Sequence, residues 1–323
     1  MQHITVSVVM PVYNEEKHID RCLRSLLMQT YPLERTEWLL VDGGSTDGTV
    51  ERIRQYADKV NVRLLHNEKR LVTYALNIGI GEAVGDYIIR MDAHAEYAAD
   101  YIERCVDCLM HVDADNVGGL AETVGEGYIG SANAELLSSK FGVGNSGFRT
   151  NAESGYTDTV PFGAFRREIF ERVGLFDPEL PRSEDNDFNS RIRASGGKVY
   201  LSTDIHFIYY CRSTVRGLLD QGIKNGNALF LTLRKNPSAM SLRHYVPFLF
   251  VLSLIALPLL SLWAPIFGWM LLAEVLLYLS LDMYFSLFKG SRKYFFYKFP
   301  MYPLFHICYG IGSLLGAFGI KLY

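Results

Sequence analysis

Apolar positions along the first 110 residues alternate between two periods. Residues 6–10, Val-Ser-Val-Val-Met, form a short β-branched run that stops at Pro11, and residues 15–29 then place Ile19, Cys22, Leu23, Leu26 and Leu27 at helical spacing. The spacing predicts a strand followed by a helix. The same succession recurs: strands at 38–41, 62–65 and 87–91 precede helices at 49–57, 73–83 and 99–110. Such alternation needs crossover connections, so it predicts an α/β fold with a mostly parallel sheet and helices on both faces.

Two later stretches break the pattern. Residues 125–156 are rich in Gly, Ser and Asn, with a possible helix only around 132–140, and read as a mobile substrate-side loop. From residue 245 onward the chain is apolar in three stretches, near 245–267, 269–288 and 300–320. Each is about the ~20 residues a helix needs to cross ~30 Å of hydrocarbon. Lys289, Arg292, Lys293 and Lys298 cluster between the second and third, and Arg234, Lys235 and Arg243 precede the first. The bias of basic residues toward the cytoplasm puts both clusters inside, which for three spans leaves residues 321–323 outside. Glu274 and Asp282 weaken the second stretch, and a re-entrant hairpin over 245–288 is the alternative. The expected organisation is a cytosolic catalytic domain over 1–211, an amphipathic interfacial region over 212–244 and a membrane domain over 245–323.

Composition narrows the class. The hydrophobic fraction of 49% and the charged fraction of 21% depart from a soluble average because of the C-terminal stretches. A formal charge of −3, with no long basic stripe in the first 240 residues, argues against nucleic acid as a partner. Five scattered cysteines suggest a reducing compartment, and Cys105-x-x-Cys108 lacks a second pair, so it reads as structural. Residues 1–5 lead straight into the first strand with no signal-peptide pattern, which places the first domain in the cytosol.

In open parallel sheets, ligands bind beyond the carboxyl ends of the strands. Here those ends carry Tyr13-Asn14-Glu15, Asp42-Gly43-Gly44-Ser45 and Asp92-Ala93-His94. Any one acid could cap the next helix. Three on one edge favour a site. Asp42, followed by small residues, could accept an N–H of a uracil ring or close a tight turn, and the two roles are compatible. Asp92 and His94 sit at alternate positions past a strand, an oxygen and a nitrogen suited to Mn²⁺ or Mg²⁺ with a diphosphate supplying further ligands. Residues 182–188, Arg-Ser-Glu-Asp-Asn-Asp-Phe, bring three carboxylates to a helix start, where Asp187 serves the helix end.

Pro11-Val-Tyr-Asn-Glu15, residues 41–49 (Val-Asp-Gly-Gly-Ser-Thr-Asp-Gly-Thr), Asn77-Ile-Gly79, Met91-Asp-Ala-His94 and Ser183-Glu-Asp185 together resemble family-2 glycosyltransferases, in that family's order over roughly residues 6–210. Asp-Ala-His-Ala at 92–95, in place of the commoner Asp-x-Asp, is most similar to the succinoglycan-type glucosyltransferase branch. The resemblance implies a GT-A-type nucleotide-sugar domain in which Pro11, Tyr13, Glu15, Asp42, Arg70 and Asp92 bind the donor and Asp92 with His94 holds the metal. It assigns the base to Asp185, with Glu184, Gly163, Gln221 and Lys224 on the acceptor side or supporting it. One attack with one base implies inversion.

The resemblance further implies transfer from a UDP-sugar, UDP-glucose first, to a lipid-linked acceptor in polysaccharide synthesis at the cytoplasmic membrane. A polyprenyl-phosphate sugar synthase is the alternative. Gln221-Gly-Ile-Lys-Asn225 departs from the Gln-x-x-Arg-Trp of processive members, so processive synthesis is not expected. Arg212, Arg216 and Lys224 meet either lipid phosphate or an anionic membrane surface. Two rivals fare worse. The glycines of residues 79–85 are spaced G-x-G-x-x-x-G and end a helix rather than open one, so they do not make a dinucleotide fingerprint. A silent membrane scaffold would have no use for Asp42, Asp92 and Asp185 together.

Overall fold

The computed structural model describes residues 4–150 and 152–323. The chain forms two compact units, one running to Glu122 and resuming after residue 150 as far as Tyr210, the other made of Thr123–Thr150 and Cys211–Tyr323.

In the first unit the strands expected from the β-branched runs are β1 (Val6–Val12), β2 (Thr36–Asp42), β3 (Val62–His66) and β4 (Tyr87–Arg90). Every position of β2 and β4 is buried, and in β1 only Pro11 falls short. Strands covered on both faces have no polar side to alternate with, which is why they read as continuous apolar runs. They pair in parallel in the order β3-β2-β1-β4. Helices α1 (Ile19–Leu27), α2 (Thr49–Arg54), α3 (Val72–Glu82) and α4 (Tyr101–His111) fall where the periodicity puts them. Cys105 faces the core from α4 and burial pushes its thiol up, so the Cys105-x-x-Cys108 pair is packing rather than redox chemistry.

The sheet then changes character. Strands β5 (Ala95–Tyr97), β6 (Asn116–Val124), β7 (Gly155–Tyr156), β8 (Ala164–Arg166) and β9 (Val199–Tyr210) extend it beyond β4. The β4–β8, β6–β8, β5–β9 and β7–β9 pairs are all antiparallel. The sheet is therefore mixed rather than mostly parallel. Helix α7 (Glu168–Val173) and helix α8 (Glu184–Ala194) are tied to β8 by packed rings, Phe188 stacking on Phe176 at 4.5 Å and Phe170 at 5.2 Å between centroids and meeting Phe165 edge-on at 5.4 Å. That cluster fixes where α8 begins.

In the second unit, the stretch expected to be a mobile loop holds two helices, α5 (Gly127–Leu137) and α6 (Lys140–Val143). Much of the buried face of α5 is Gly130, Ala132, Asn133 and Ala134, side chains too small to print an apolar stripe in the sequence. Polar contacts anchor it. Asn133 Nδ2 donates to the Arg212 carbonyl (2.7 Å), Tyr297 Oη donates to Asn133 Oδ1 (2.7 Å), and the buried Lys298 ammonium meets Glu135 at 2.8 Å.

The remaining helices are α9 (Val215–Lys235), α10 (Val246–Ser261), α11 (Ile266–Phe288) and α12 (Phe295–Ala317). Among the described residues, two helical stretches, Leu242–Ser261 and Ile266–Phe288, are long and apolar enough to cross a membrane, and little of either is buried in the protein. They part at Pro265, which precedes the first residue of α11.

The third expected span behaves differently. Helix α12 buries Lys298, Tyr302, His306 and Ser313 and packs closely on α9. A Cβ on Gly226 would stand 1.9 Å from the Tyr309 carbonyl oxygen, and one on Gly312 would stand 2.0 Å from that of Ile223. Gly222-x-x-x-Gly226 and Gly312-x-x-x-Gly316 thus let two backbones meet, the small-residue crossing common between membrane helices. Most of the region expected to be an amphipathic interfacial helix is α9, which packs in this way on α12.

Candidate active site

The register that pairs Val12 with Asp42 and Val9 with Arg90 brings the carboxyl ends of β1, β2 and β4 to one edge. The β1 and β2 ends are stitched together: Asn14 N donates to Ser45 Oγ (2.9 Å), Thr46 N to Asn14 Oδ1 (2.8 Å), and Glu15 N to Thr49 Oγ1 (2.8 Å). Asp42 closes its own turn, accepting from Gly44 N at 3.1 Å and from Ser45 Oγ at 2.6 Å. The turn role is thus present, and it fixes the carboxylate at the bottom of the edge. Tyr13 stands above it, half exposed, with the Arg70 guanidinium 5.8 Å from its ring centroid. Pro11, the one half-buried position of β1, lies two residues before Tyr13 and pairs with Val41 beside Asp42. An aromatic face beside a cation and a fixed carboxylate can receive a base and a diphosphate.

At the end of β4 the structure gathers residues that lie far apart in sequence. Arg90 is buried, and its guanidinium forks onto the start of α8: Nη1 meets Asp185 Oδ1 at 2.5 Å and Nη2 meets Glu184 Oε1 at 2.9 Å. The same Nη2 lies 3.5 Å from Asp92 Oδ1. Burial works against the arginine's charge, but Asp185, Asp92 and Glu184 outweigh it and hold the guanidinium firmly protonated. Burial also pushes the Asp185 carboxyl up to about 7, with Arg90 pulling the other way and Glu184 and Asp92 adding to the rise. A carboxylate tuned near neutrality is poised to take a proton.

His94 Nδ1 faces Glu15 Oε1 at 3.3 Å, while the Asp92 backbone is held by Tyr97, whose hydroxyl accepts from Asp92 N at 2.7 Å. Among the described residues, no group of three or more His, Cys, Asp or Glu side chains is arranged to hold a metal ion. Mg²⁺ commonly binds through one or two carboxylates plus substrate phosphates and water, so Asp92 fits a cation that the donor's phosphates complete.

Gly163 contributes backbone: its carbonyl accepts from Arg90 N at 3.0 Å. Asn77, part of the family-like motif, is structural and exchanges hydrogen bonds of 2.8 and 3.0 Å with the Phe176 backbone. Asp187 pairs with Arg191 one turn on, at 3.0 Å. Gln221 and Lys224 lie on α9 in the second unit, where Lys224 pairs with Asp220 at 2.8 Å.

Sequence reasoning missed Arg90. Its signal was a charged residue ending the otherwise apolar run Tyr87-Ile-Ile, in a strand buried throughout. A second signal is conformational. Among the described residues, the non-glycine residues with left-handed backbone are Asn14, Arg70, Phe162 and Ser183, at φ 53°, 58°, 48° and 63°. Arg70 is itself one of the expected donor-binding residues, and the other three adjoin Glu15, Gly163 and Glu184. Strained backbone of this kind gathers at functional sites.

A family model described as Glycosyl transferase family 2 matches residues 7–174, which contain the three strand ends from Tyr13 to His94 together with Arg90. The chain belongs to glycosyltransferase family 2. This glycosyltransferase is 30% identical over 311 residues to a dolichyl N-acetyl-alpha-D-glucosaminyl phosphate 3-beta-D-2,3-diacetamido-2,3-dideoxy-beta-D-glucuronosyltransferase of Methanococcus voltae, covering 91% of the chain and 96% of the relative. It is 32% identical over 243 residues to the succinoglycan biosynthesis protein ExoA of Rhizobium meliloti, covering 74% and 73%. Among solved structures, the mannosyltransferase PcManGT of Pyrobaculum calidifontis, in complex with GDP-Man and Mn²⁺, superposes with a TM-score of 0.67 at 20% identity, over 96% of this chain and 87% of that one. Staphylococcus aureus TarS superposes at 0.55 with 17% identity, over 98% and 92%. The fold is GT-A, as the sequence resemblance implied.

Proposed function

We propose that this glycosyltransferase inverts the anomeric centre as it moves a sugar from a nucleoside diphosphate donor to a lipid-linked acceptor at the cytoplasmic face of a membrane. The observation that carries the reading is the fork of Arg90, which draws Asp92 from the donor side and Glu184–Asp185 from the start of α8 around one buried guanidinium.

Tyr13 and Arg70 border the base and ribose, Asp42 and Glu15 receive their polar edges, and Pro11 shapes the floor. Asp92 would hold the divalent cation, Mg²⁺ or Mn²⁺, and His94, which faces Glu15, is the second ligand to test. When bound, that cation supplies Lewis-acid stabilisation to the departing diphosphate. Asp185, one oxygen fixed by Arg90, takes the proton of the acceptor hydroxyl as the oxygen attacks the anomeric carbon. Glu184 and the Gly163 backbone hold that geometry. One base and one displacement give inversion.

Lipid linkage is favoured by the name of the Methanococcus relative and by the two apolar helices of the second unit. Helices α10 and α11 enter the bilayer as a hairpin with both ends cytoplasmic, beside Arg243 and Lys289. UDP-glucose is the first donor to test, given the succinoglycan relative.

Membranes carrying the enzyme, incubated with radiolabelled UDP-glucose, UDP-GlcNAc and GDP-mannose against a lipid-linked monosaccharide or bare polyprenyl phosphate, test the reading. Label on the lipid-linked sugar supports it. Label only on polyprenyl phosphate replaces it with a polyprenyl-phosphate sugar synthase, and none on any acceptor refutes it.

A further inference from the structure

The geometry points to Arg90 as a positioning residue that aims the Asp185 carboxylate and fixes its distance from the donor-side Asp92 through a single guanidinium. The inference rests on Asp185 as acceptor base and adds a group that no strand-end motif marks.

The placement of Arg90 is specified from several directions. Its backbone N–H donates to Gly163, and β4 is locked to β8 by the pairs Ile88 with Phe165 and Ile89 with Ala164. The Phe162 ring lies 5.9 Å from the guanidinium carbon, although seating it there puts Phe162 in left-handed backbone. Ser183 takes the same conformation at the start of α8, so the turn that aims Glu184 and Asp185 is strained as well. Two non-glycine residues in that region each cost on the order of 1–3 kcal/mol, which persists only where the surroundings over-determine it.

A purely structural clasp would need one ion pair. Arg90 instead meets three carboxylates from two elements, leaving its own Nε buried without a partner. The contacts are graded. Those to Asp185 and Glu184 are hydrogen-bonded, at 2.5 and 2.9 Å, whereas Asp92 at 3.5 Å is held by charge alone and is the carboxylate a donor can claim. A planar guanidinium performs this because its two Nη groups leave in fixed directions, which a lysine cannot reproduce. With Oδ1 of Asp185 held, Oδ2 is the oxygen left for the acceptor hydroxyl.

The test compares Arg90→Lys, Asp185→Asn and the double variant in the membrane-embedded enzyme, measuring kcat, donor KM and binding of UDP and GDP by calorimetry. Expected for Arg90→Lys is a fall in kcat of roughly 10²-fold, the effect of about 1 Å of misplacement, with donor KM and nucleotide binding within about threefold of the parent. In the Asp185→Asn background the same substitution should lower kcat no further, because a positioning residue has nothing left to position. Unchanged kcat in Arg90→Lys, multiplicative losses in the double variant, or a loss of nucleotide binding that matches the loss of rate would each overturn the inference. Should Arg90→Lys fail to fold, Phe162→Leu loosens the guanidinium while keeping its charge. A several-fold loss of kcat at constant nucleotide binding supports the proposal, and unchanged kcat overturns it. A fully active Asp185→Asn variant would instead remove the base assignment itself, an outcome distinct from any result at Arg90.

Discussion

Asn227 on α9 grips the last residues of the chain: its Nδ2 donates to the Ile320 carbonyl at 2.8 Å and its Oδ1 accepts from Leu322 N at 3.1 Å. Tyr323 follows and points its hydroxyl at the Lys224 carbonyl, 3.4 Å away. The tail is therefore bound to a helix that carries Arg216, Asp220, Lys224, Arg234 and Lys235, too many charges for hydrocarbon. A tail held in this way is expected on the same side as Lys289, whereas three full spans would put residues 321–323 on the opposite side. Reporter fusions after Lys289 and after Tyr323 should report the same, cytoplasmic side, and opposite sides would indicate three spans.

Asp185→Asn should lower transfer by roughly 10²–10⁴ while UDP or GDP binding persists, the usual cost of losing a general base. Near-normal turnover would remove Asp185 from the mechanism.

The pH profile follows from the same carboxyl. A raised pKa means the proton leaves late, so the active, deprotonated form of Asp185 accumulates only as pH rises through about 7. The acid limb of kcat/KM should therefore bend near neutrality, and a limb bending at the ordinary carboxylate range near 4 would contradict it.

Asp92→Ala should abolish Mn²⁺-dependent tightening of UDP or GDP binding, measured by calorimetry, as expected for the carboxylate proposed to hold the cation. His94→Ala should reduce it much less, because His94 turns toward Glu15. Activity that survives EDTA unchanged would sink the metal assignment.

Gly226→Leu should destabilise the second unit by at least about 1–3 kcal/mol, because its Cβ would overlap the Tyr309 carbonyl oxygen and neither backbone can retreat. Thermal unfolding in detergent measures it. A variant as stable as the parent would mean the α9–α12 crossing is not held by close glycine contact.

The sequence by itself determined the parallel half of the sheet, helices α1–α4 and the three acidic strand ends, because each is a local pattern. A strand buried on both faces must be a β-branched run, an amphipathic helix must repeat every 3.6 residues, and a site at strand ends must follow those runs directly. It also marked α10 and α11, whose length and apolarity are local properties too.

Only the tertiary structure decided the rest. The antiparallel strands begin in Gly-rich or polar sequence such as Asn116-Val-Gly-Gly and depend on distant partners, and α5 buries side chains too small to leave a period. Helix α12 has the apolar content of a span, yet packs on α9 through glycines that composition cannot distinguish from flexible ones. Above all, Arg90 and Asp185 lie 95 residues apart, and their 2.5 Å contact exists only because β8 sets the end of β4 and four phenylalanines set the start of α8. Local pattern reports what each segment must bury, whereas the pairing of two buried charges depends on where other segments hold them.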